Sequence, residues 1–141
     1  INVLYVTGKV HYESVSKEAP TSENVHVHSY VYDMPALLAC TSIVVSRAGA
    51  STISELTALG LPSVLIPSPY VTADHQTKNA SALVENGAAL LVKEESLTGE
   101  TLVEAIRQVL DKQEEMANAS RALGFPDASD ALADLVEEVI R

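Results

Sequence analysis

Short apolar runs alternate with segments of helical period along almost the whole chain. Five runs have the length and β-branched content of strands, and the segments between them repeat their apolar residues every three or four positions. Strands that alternate with helices in this way form parallel sheets, because each helix returns the chain to the same edge of the sheet. The pattern therefore predicts an α/β protein with a doubly wound parallel sheet.

Glycine, proline and aspartate mark the ends of these segments. Gly60 and Gly87 are expected to close two helices, and Asp33 is expected to cap a third, with Pro35 in its first turn. The predicted strands cover residues 2–7, 24–31, 42–46, 62–67 and 88–93; the predicted helices cover residues 10–19, 34–41, 51–60, 74–87, 98–112, 114–123 and 130–141; residues 68–73 are predicted to form a loop.

Composition restricts the compartment and the partners. The length suits one domain over residues 1–141, and the single cysteine, Cys40, favours a reducing, cytoplasmic compartment because it has no partner for an internal disulfide. No apolar run approaches the roughly 20 residues of a membrane span. The net charge of −10 disfavours nucleic acid and anionic membrane surfaces, which both attract basic faces. Ile1 already lies beside a predicted strand, so we expect a domain of a longer protein.

Doubly wound sheets bind ligands beyond the carboxyl ends of their strands, where the strand order reverses. We therefore expect a binding site among the residues that directly follow the predicted strands. These are residues 7–8, 30–31, 46–52 and 67–76, and Lys93.

The segment SRAGAST, residues 46–52, joins a predicted strand to a predicted helix. Its small residues allow a sharp turn that exposes the first N–H groups of the helix. Those N–H groups and the helix dipole favour an anion such as phosphate, and Arg47 adds a fork of N–H donors. A tight turn that binds nothing is the structural alternative. The small residues are Gly49, Ala50, Ser51 and Thr52.

Glu55 has two interpretations. Thr52 and Glu55 have the spacing of a capping box, in which the glutamate bonds back to the N-cap amide, and the pattern alone favours this role. A carboxylate near a helix N-terminus is also suited to accept two hydrogen bonds from a ribose diol. The two roles exclude each other for one carboxylate oxygen but not for both.

The segment DHQTKNA opens the next predicted helix with a polar first turn. Asp74 is a candidate N-cap, and His75 and Gln76 would point at the crevice beyond the strands. Gln76 and Asn79 are three residues apart and share a helix face. Such a cluster suits sugar hydroxyls, although an ordinary polar first turn has the same composition.

We expect no metal, no cofactor and no catalytic group within these residues. His26 and His28 share one face of a predicted strand, but the sequence offers no third metal ligand nearby. Cys40 is expected to be a small core residue. The sequence shows no Ser-His-Asp pattern at a strand-to-helix elbow.

Nearly the whole chain resembles the C-terminal donor-binding domain of the MurG family. The resemblance rests on VVSRAGASTISELTALGLPSVLIPSPYVTADHQTKNASALVENGAALLV, together with VLYVTGKVHYE and YVYDMPALLACTSIVVSR. The family comprises two-domain GT-B enzymes that transfer N-acetylglucosamine (GlcNAc) from UDP-GlcNAc to lipid I, with inversion, in bacterial peptidoglycan synthesis. The resemblance implies a Rossmann-like fold, the C-terminal half of such an enzyme, and no metal bridging the diphosphate.

The resemblance also implies roles for the candidate residues. A backbone group of Val31 would bond the uracil edge, and Tyr30 would lie beside that base. Residues 49–52 would face the diphosphate, and Glu55 would hold the ribose hydroxyls. Gln76 would contact the GlcNAc hydroxyls.

Two further residues have less direct roles by resemblance. His75 corresponds to a position that is glutamine in some members of the family, and it would contact the sugar beside its neighbour. Arg47 matches the family pattern, and it would either touch the donor or order the loop.

Part of the family pattern has no counterpart in the 141 residues. The first strand of the domain and its glycine-rich loop are absent, as is the N-terminal domain. That domain would carry the acceptor site for lipid I, the membrane-facing patch and the expected catalytic base. We therefore expect these residues to bind the donor without direct membrane contact and without catalysing transfer alone.

Two alternative functions share the predicted fold. One is the soluble half of a split GlcNAc transferase that needs a membrane-bound partner subunit. The other is a domain of a UDP-GlcNAc 2-epimerase. An interaction module with no nucleotide binding is the general alternative.

Overall fold

The computed structural model describes residues 1–70 and 74–140. Residues 71–73 of the predicted loop, and Arg141 at the end of the last predicted helix, lie outside the described residues. Every strand and helix expected from the sequence is present. The elements are β1 (Val3–Val6), α1 (Tyr12–Glu18), β2 (Val25–His28), α2 (Met34–Ala39), β3 (Val44–Ser46), α3 (Ala50–Leu59), β4 (Ser63–Leu65), α4 (His75–Glu85), β5 (Ala89–Leu91), α5 (Gly99–Asp111), α6 (Gln113–Ala122) and α7 (Ala128–Ile140).

The chain divides into two compact units, of which the first is Ile1–Leu37. Its two strands form a parallel sheet in which β1 lies beside β2, with Val3 opposite Val25. All residues of β1 are exposed, and β2 alternates half-buried valines with exposed histidines. The two strands therefore end at the same edge of this sheet, where the Thr7 N–H donates to the His28 carbonyl oxygen at 3.0 Å.

The second unit begins at Leu38 and contains the main core. Its sheet is parallel, with the order β3-β4-β5. The central strand β4 is fully buried, whereas β3 and β5 are only partly covered. The amphipathic helix α5 buries Ala105 and Val109 as its period predicts. The core cluster contains Val64, Ile66, Val92, Ala105, Val109 and Met116.

Helix ends follow the sequence signals at two places. The Asp33 carboxylate accepts a hydrogen bond from the Ala36 N–H at 3.0 Å, which confirms the expected cap of α2. Gly60 closes α3 with φ of 68°, in the left-handed region that glycine adopts without strain.

Cys40 is exposed, so its assignment to the core was wrong. Helix α2 ends at Ala39, and Leu38 is its buried residue. Cys40 therefore follows the helix and does not share its buried face. The apolar composition of LLAC suggested burial, but the end of the helix decided which of these side chains is covered.

Candidate functional site

Residues 47–52, which run from the end of β3 through the first residues of α3, are called here the β3–α3 turn. Gly49 is the N-cap of α3 in extended backbone, with φ of −68° and ψ of 147°, and its carbonyl oxygen accepts the first helical hydrogen bond from the Ile53 N–H at 3.0 Å. The N–H groups of the three residues between them have no carbonyl partner within the helix. The turn therefore presents a helix N-terminus directly after a strand, as the sequence predicts.

The predicted capping box of Thr52 and Glu55 is wrong. The helix begins at Ala50 with Gly49 as its N-cap, three residues before the N-cap position of Thr52 that the box requires, and no side chain caps it. Glu55 consequently lies in the second turn of α3, where its exposed carboxylate accepts no hydrogen bond from any residue among 1–70 and 74–140. Ala48, directly before the N-cap Gly49, is buried.

Arg47 spans the carboxyl ends of neighbouring strands. Its Nη1 donates to the Ile66 carbonyl oxygen at 3.2 Å and to the Pro67 carbonyl oxygen at 3.3 Å, both directly after β4. The same nitrogen forms an ion pair with Glu94, in the 3-10 turn Glu94–Ser96 that follows β5. Arg47, directly after β3, thus contacts segments that follow the two other strands of this sheet.

The start of α4 contributes two amide side chains. The Gln76 Oε1 accepts a hydrogen bond from the Ser68 N–H at 2.9 Å, just after β4. The Asn79 Nδ2 donates to the Ala48 carbonyl oxygen at 3.2 Å, at the start of the β3–α3 turn. The shared face predicted for these two residues therefore ties α4 to two strand-end loops.

Two other residues at this helix start behave differently. His75 is exposed in the first turn of α4. Asp74 occupies the N-cap position as expected, but its side chain makes no capping hydrogen bond, and its backbone is left-handed with φ of 53°. A non-glycine residue in that region carries some strain.

In the first unit, Tyr30 and Val31 follow β2 as expected. Tyr30 is 55% exposed, and its ring meets that of Tyr32 edge-on, with 5.0 Å between the ring centroids. The Lys9 Nζ lies 6.0 Å from the Tyr30 ring centroid. Val31 is half-buried.

The structure brings several candidates of the second unit together. Arg47 and Gln76 reach the residues after β4, and Asn79 reaches the β3–α3 turn. Tyr30 and Val31 belong to the first unit and form a separate group beside β2.

Sequence analysis missed some contacts of these residues, notably those of Glu94, Tyr32 and Lys9. Glu94 directly follows the predicted strand 88–93, so its position was among the strand ends where a site is expected, but its partner Arg47 was not indicated. Tyr32 contacts Tyr30, two residues before it, and no sequence motif marks that ring pair. The contact of Lys9 with Tyr30 joins residues that are distant in the chain.

The described residues were compared with the requirements of a metal site and of a membrane-spanning helix. Within residues 1–70 and 74–140, no three or more histidine, cysteine, aspartate or glutamate side chains group closely enough to hold a metal ion. Over the same part of the chain, no helix has both the length and the apolar character needed to cross a membrane.

Comparison with known proteins gives consistent results. The model of the glycosyltransferase family 28 C-terminal domain matches residues 1–136. The chain is 85% identical over 141 residues to the UDP-N-acetylglucosamine--N-acetylmuramyl-(pentapeptide) pyrophosphoryl-undecaprenol N-acetylglucosamine transferase of Exiguobacterium sp. AT1b, covering 100% of this chain and 39% of that protein. The protein of the same name from Bacillus subtilis is 48% identical over 143 residues, covering 97% of this chain and 39% of that protein.

Solved structures agree with this result. Acinetobacter baumannii MurG has a TM-score of 0.86 and 26% identity, covering 98% of this chain and 41% of that chain. The glycosyltransferase VinC in complex with DTDP has a TM-score of 0.71 and 21% identity, covering 97% of this chain and 34% of that chain, a likeness of fold alone. These likenesses confirm the expected α/β, Rossmann-like fold. The chain spans about two fifths of the length of the relatives named above.

Proposed function

The chain belongs to the family of glycosyltransferase family 28 C-terminal domains, and from this membership we propose that it is the UDP-GlcNAc-binding domain of an inverting N-acetylglucosaminyltransferase that converts lipid I to lipid II in peptidoglycan synthesis. The names of the transferases from Exiguobacterium and Bacillus subtilis support the donor and the acceptor. Since the chain spans about two fifths of those proteins, the activity is proposed for the whole enzyme and donor binding for these residues.

The β3–α3 turn is the observation that carries the proposal. Transfer of GlcNAc leaves increasing negative charge on the departing UDP. The first N–H groups of α3 have no partner within the helix, and the positive end of the helix dipole lies there. Such preorganised N–H groups stabilise a developing anion without reorganising during the reaction. We propose that Gly49, Ala50, Ser51 and Thr52 face the diphosphate.

Gly49 supports a close approach of the ligand. Its backbone angles are ordinary for any residue, and an added Cβ would meet only the Thr52 Oγ1, at 3.7 Å. Neither strain nor crowding within the described residues therefore demands glycine at this position. A diphosphate lying against the backbone would demand it, because a side chain would then stand between the ligand and the N–H groups.

Glu55 and Gln76 supply polar groups for the two sugars. The Glu55 carboxylate, one turn beyond the N–H groups, is open to the two hydroxyls of the ribose. The Gln76 Oε1 is occupied by the Ser68 N–H, which can only donate, so its Nε2 remains as a donor. We propose that this Nε2 donates to a GlcNAc hydroxyl, with His75 beside it in the first turn of α4.

The remaining donor contacts are proposed for the first unit. Val31 would bond the uracil edge through its backbone, and the exposed Tyr30 ring would lie beside the base. Arg47 is proposed to act on the donor mainly by ordering the β3–α3 turn, because its Nη1 already serves two strand-end carbonyls.

The rest of the reaction is assigned to parts of the enzyme beyond these residues. A base in the N-terminal domain would take the proton of the acceptor hydroxyl of lipid I. Such an enzyme would work as a peripheral protein at the cytoplasmic face of the cell membrane, and its product would serve cell-wall growth, cell shape and division. The epimerase alternative is not favoured, because the relatives and solved structures compared above are transferases.

Titration calorimetry of the 141-residue chain with UDP and with UDP-GlcNAc tests donor binding. The wild type is expected to bind both ligands, Glu55→Ala to lose affinity for both, and Gln76→Ala to lose affinity for UDP-GlcNAc only. Glu138→Ala, which removes an exposed carboxylate of α7, is the matched control and should bind as the wild type does. Absence of binding at millimolar UDP, in a chain whose circular dichroism shows that it is folded, would contradict the proposal.

A chimera tests the activity. In it, this chain replaces the matching 141 residues of the Exiguobacterium transferase. We expect the chimera to convert lipid I to lipid II with UDP-GlcNAc, and the 141-residue chain alone to transfer nothing. A chimera that releases N-acetylmannosamine from UDP-GlcNAc would instead indicate an epimerase.

A further inference from the structure

Three strand ends meet at one side chain in the second unit. Arg47 follows β3, Ile66 and Pro67 follow β4, and Glu94 follows β5. Because these strands are neighbours in the order β3-β4-β5, the Arg47 side chain crosses the end of the central strand to reach Glu94. This contact connects the β3–α3 turn to the far edge of the sheet.

Arg47 makes these contacts through a single nitrogen. Its Nη1 donates to the Ile66 and Pro67 carbonyl oxygens, directly after β4, and pairs with the Glu94 Oε2. The Nη2 and Nε have no hydrogen-bond partner within residues 1–70 and 74–140, and the side chain is 50% exposed. Because only Nη1 is engaged, the N–H groups of Nη2 and Nε remain available to an anion.

The β3–α3 turn has a second anchor on its other side. The Ala48 carbonyl oxygen accepts from the Asn79 Nδ2, and Ala48 itself is buried. Arg47 and Ala48 are consecutive, so one residue is held toward β5 and the next toward α4. Of these two contacts, only the one between Arg47 and Glu94 is a partly exposed ion pair. Glu94 can therefore be replaced by an uncharged residue without disturbing the core.

The negative charge of the Glu94 carboxylate opposes the binding of an anion at the β3–α3 turn. Glu94 brings a negative charge to the cation nearest the proposed diphosphate turn, and like charges repel a nucleoside diphosphate. Any contribution of Glu94 to donor binding must therefore come from how it orients the Arg47 guanidinium and not from its own charge. An amide of the same shape would retain the acceptor and remove the repulsion.

We infer that Glu94 is a positioning residue of the donor site: it holds the Arg47 guanidinium across the end of β4 and thereby sets the geometry of the β3–α3 turn and its affinity for the diphosphate of a nucleotide. The inference rests on the proposed function for its affinity part only. The geometric part concerns contacts between residues of this chain and is testable without a ligand.

Amide resonances test the geometric part. In the ¹⁵N-labelled 141-residue chain, Glu94→Ala should shift the resonances of residues 49–52, and Glu94→Gln should leave them close to the wild type. Glu95→Ala is the matched control, because Glu95 lies in the same 3-10 turn but pairs with Lys93, at 3.7 Å. Glu94→Asp, which keeps the charge on a shorter side chain, should shift the same resonances less, and it replaces Glu94→Ala if that variant unfolds. Resonances of residues 49–52 that stay in place, or that Glu95→Ala moves equally, would overturn the inference.

A double-mutant cycle on UDP affinity tests the second part. Glu94→Ala is expected to weaken UDP binding about fivefold, the upper range for a partly exposed ion pair. Glu94→Gln should bind UDP at least as tightly as the wild type. The double variant of Arg47→Ala and Glu94→Ala should bind no more weakly than Arg47→Ala alone, because Glu94 acts only through that arginine.

The outcomes of the cycle separate the two claims. Losses that multiply in the double variant would show that Glu94 does not act through Arg47 and would overturn the inference. A wild type that binds no UDP would contradict the proposed function and the affinity part together. The amide resonances would still decide whether Glu94 positions the turn.

Discussion

The two ends of α3 are built in opposite ways. At its N-terminus, Gly49 has ordinary backbone angles and room for a side chain, and the first N–H groups have no helical partner. At its C-terminus, Gly60 adopts φ of 68°, and its N–H returns to the Leu56 and Thr57 carbonyl oxygens. The N-terminal end of α3, where the first N–H groups have no helical partner, is called here the open end. The C-terminal end, where the Gly60 N–H is bonded, is called the closed end.

Helix α6 completes the closed end. The Ser120 hydroxyl lies 3.4 Å from the Leu56 carbonyl oxygen and 3.2 Å from that of Leu61, and Ser120 is fully buried. A Cβ on Gly124 would lie 2.7 Å from the Thr57 carbonyl carbon. The contrast teaches that glycines serve different purposes at the two ends: backbone conformation requires Gly60 and close packing requires Gly124 at the closed end, whereas neither requires Gly49 at the open end.

Gly124→Ala is the strongest test of the closed end. The added methyl group would overlap the Thr57 carbonyl, and backbone atoms cannot move aside as the end of a side chain can. We expect the free energy of unfolding to fall by about 2–3 kcal/mol. Urea denaturation followed by circular dichroism measures it. Gly99→Ala is the control, since a Cβ there meets nothing within 4 Å. Equal stabilities of the two variants would contradict the close packing.

Glu55→Ala tests the open end. The carboxylate accepts no hydrogen bond from the described residues, so its removal should change the free energy of unfolding by less than about 0.5 kcal/mol. Affinity for UDP should fall about tenfold, or about 1.4 kcal/mol, through the lost ribose contacts. Calorimetry and urea denaturation of one sample give both values. A loss of stability that matches the loss of affinity would make Glu55 a structural residue.

Two buried serines give a matched pair beside the closed end. Ser120→Ala removes a satisfied hydroxyl and should lower the free energy of unfolding by about 1 kcal/mol. Ser63→Ala removes a buried hydroxyl that has no partner in the described chain, so stability should stay equal or rise by up to about 1 kcal/mol. Thermal denaturation of the two variants compares them directly. If Ser63→Ala lowered the stability more than Ser120→Ala, burial of the hydroxyl and not its hydrogen bonding would determine the loss of stability.

Gly49→Ala should have the smallest effect. Its Cβ has room at 3.7 Å from the Thr52 Oγ1, so we expect the free energy of unfolding to change by less than about 0.5 kcal/mol. UDP affinity should nevertheless fall about threefold if the diphosphate lies against the backbone. Unchanged affinity for UDP would remove the ligand as the reason for this glycine.

The order and type of the elements were predictable because they depend on local periodicity. Strand and helix positions, the Asp33 cap and the Gly60 closure all follow from residues within one or two turns. The location of the β3–α3 turn was predictable for the same reason, since small residues directly follow an apolar run. The roles of the candidate donor-binding residues stay predictions.

Two predictions from local patterns were wrong. The pattern of Thr52 and Glu55 satisfied the capping rule, yet α3 begins earlier, at Ala50, with Gly49 as its N-cap. Cys40 sits in an apolar tetrapeptide but lies beyond the end of its helix and is exposed. The spacing of a capping box and the apolar composition of a tetrapeptide each allow more than one helix boundary, and the boundaries that the structure adopts decided both results.

By itself, the sequence determined an α/β chain of alternating parallel strands and helices with a glycine-containing turn at a strand end, because hydrophobic period and turn chemistry act over a few residues. Only the tertiary structure decided that Arg47 meets Glu94, 47 positions away, across the end of β4, and that Asn79 holds the Ala48 carbonyl. The first pairing requires three strands to lie side by side, and the second requires α4 to lie beside the β3–α3 turn. Hydrogen bonds between distant residues form only where packing of the core brings their atoms within reach.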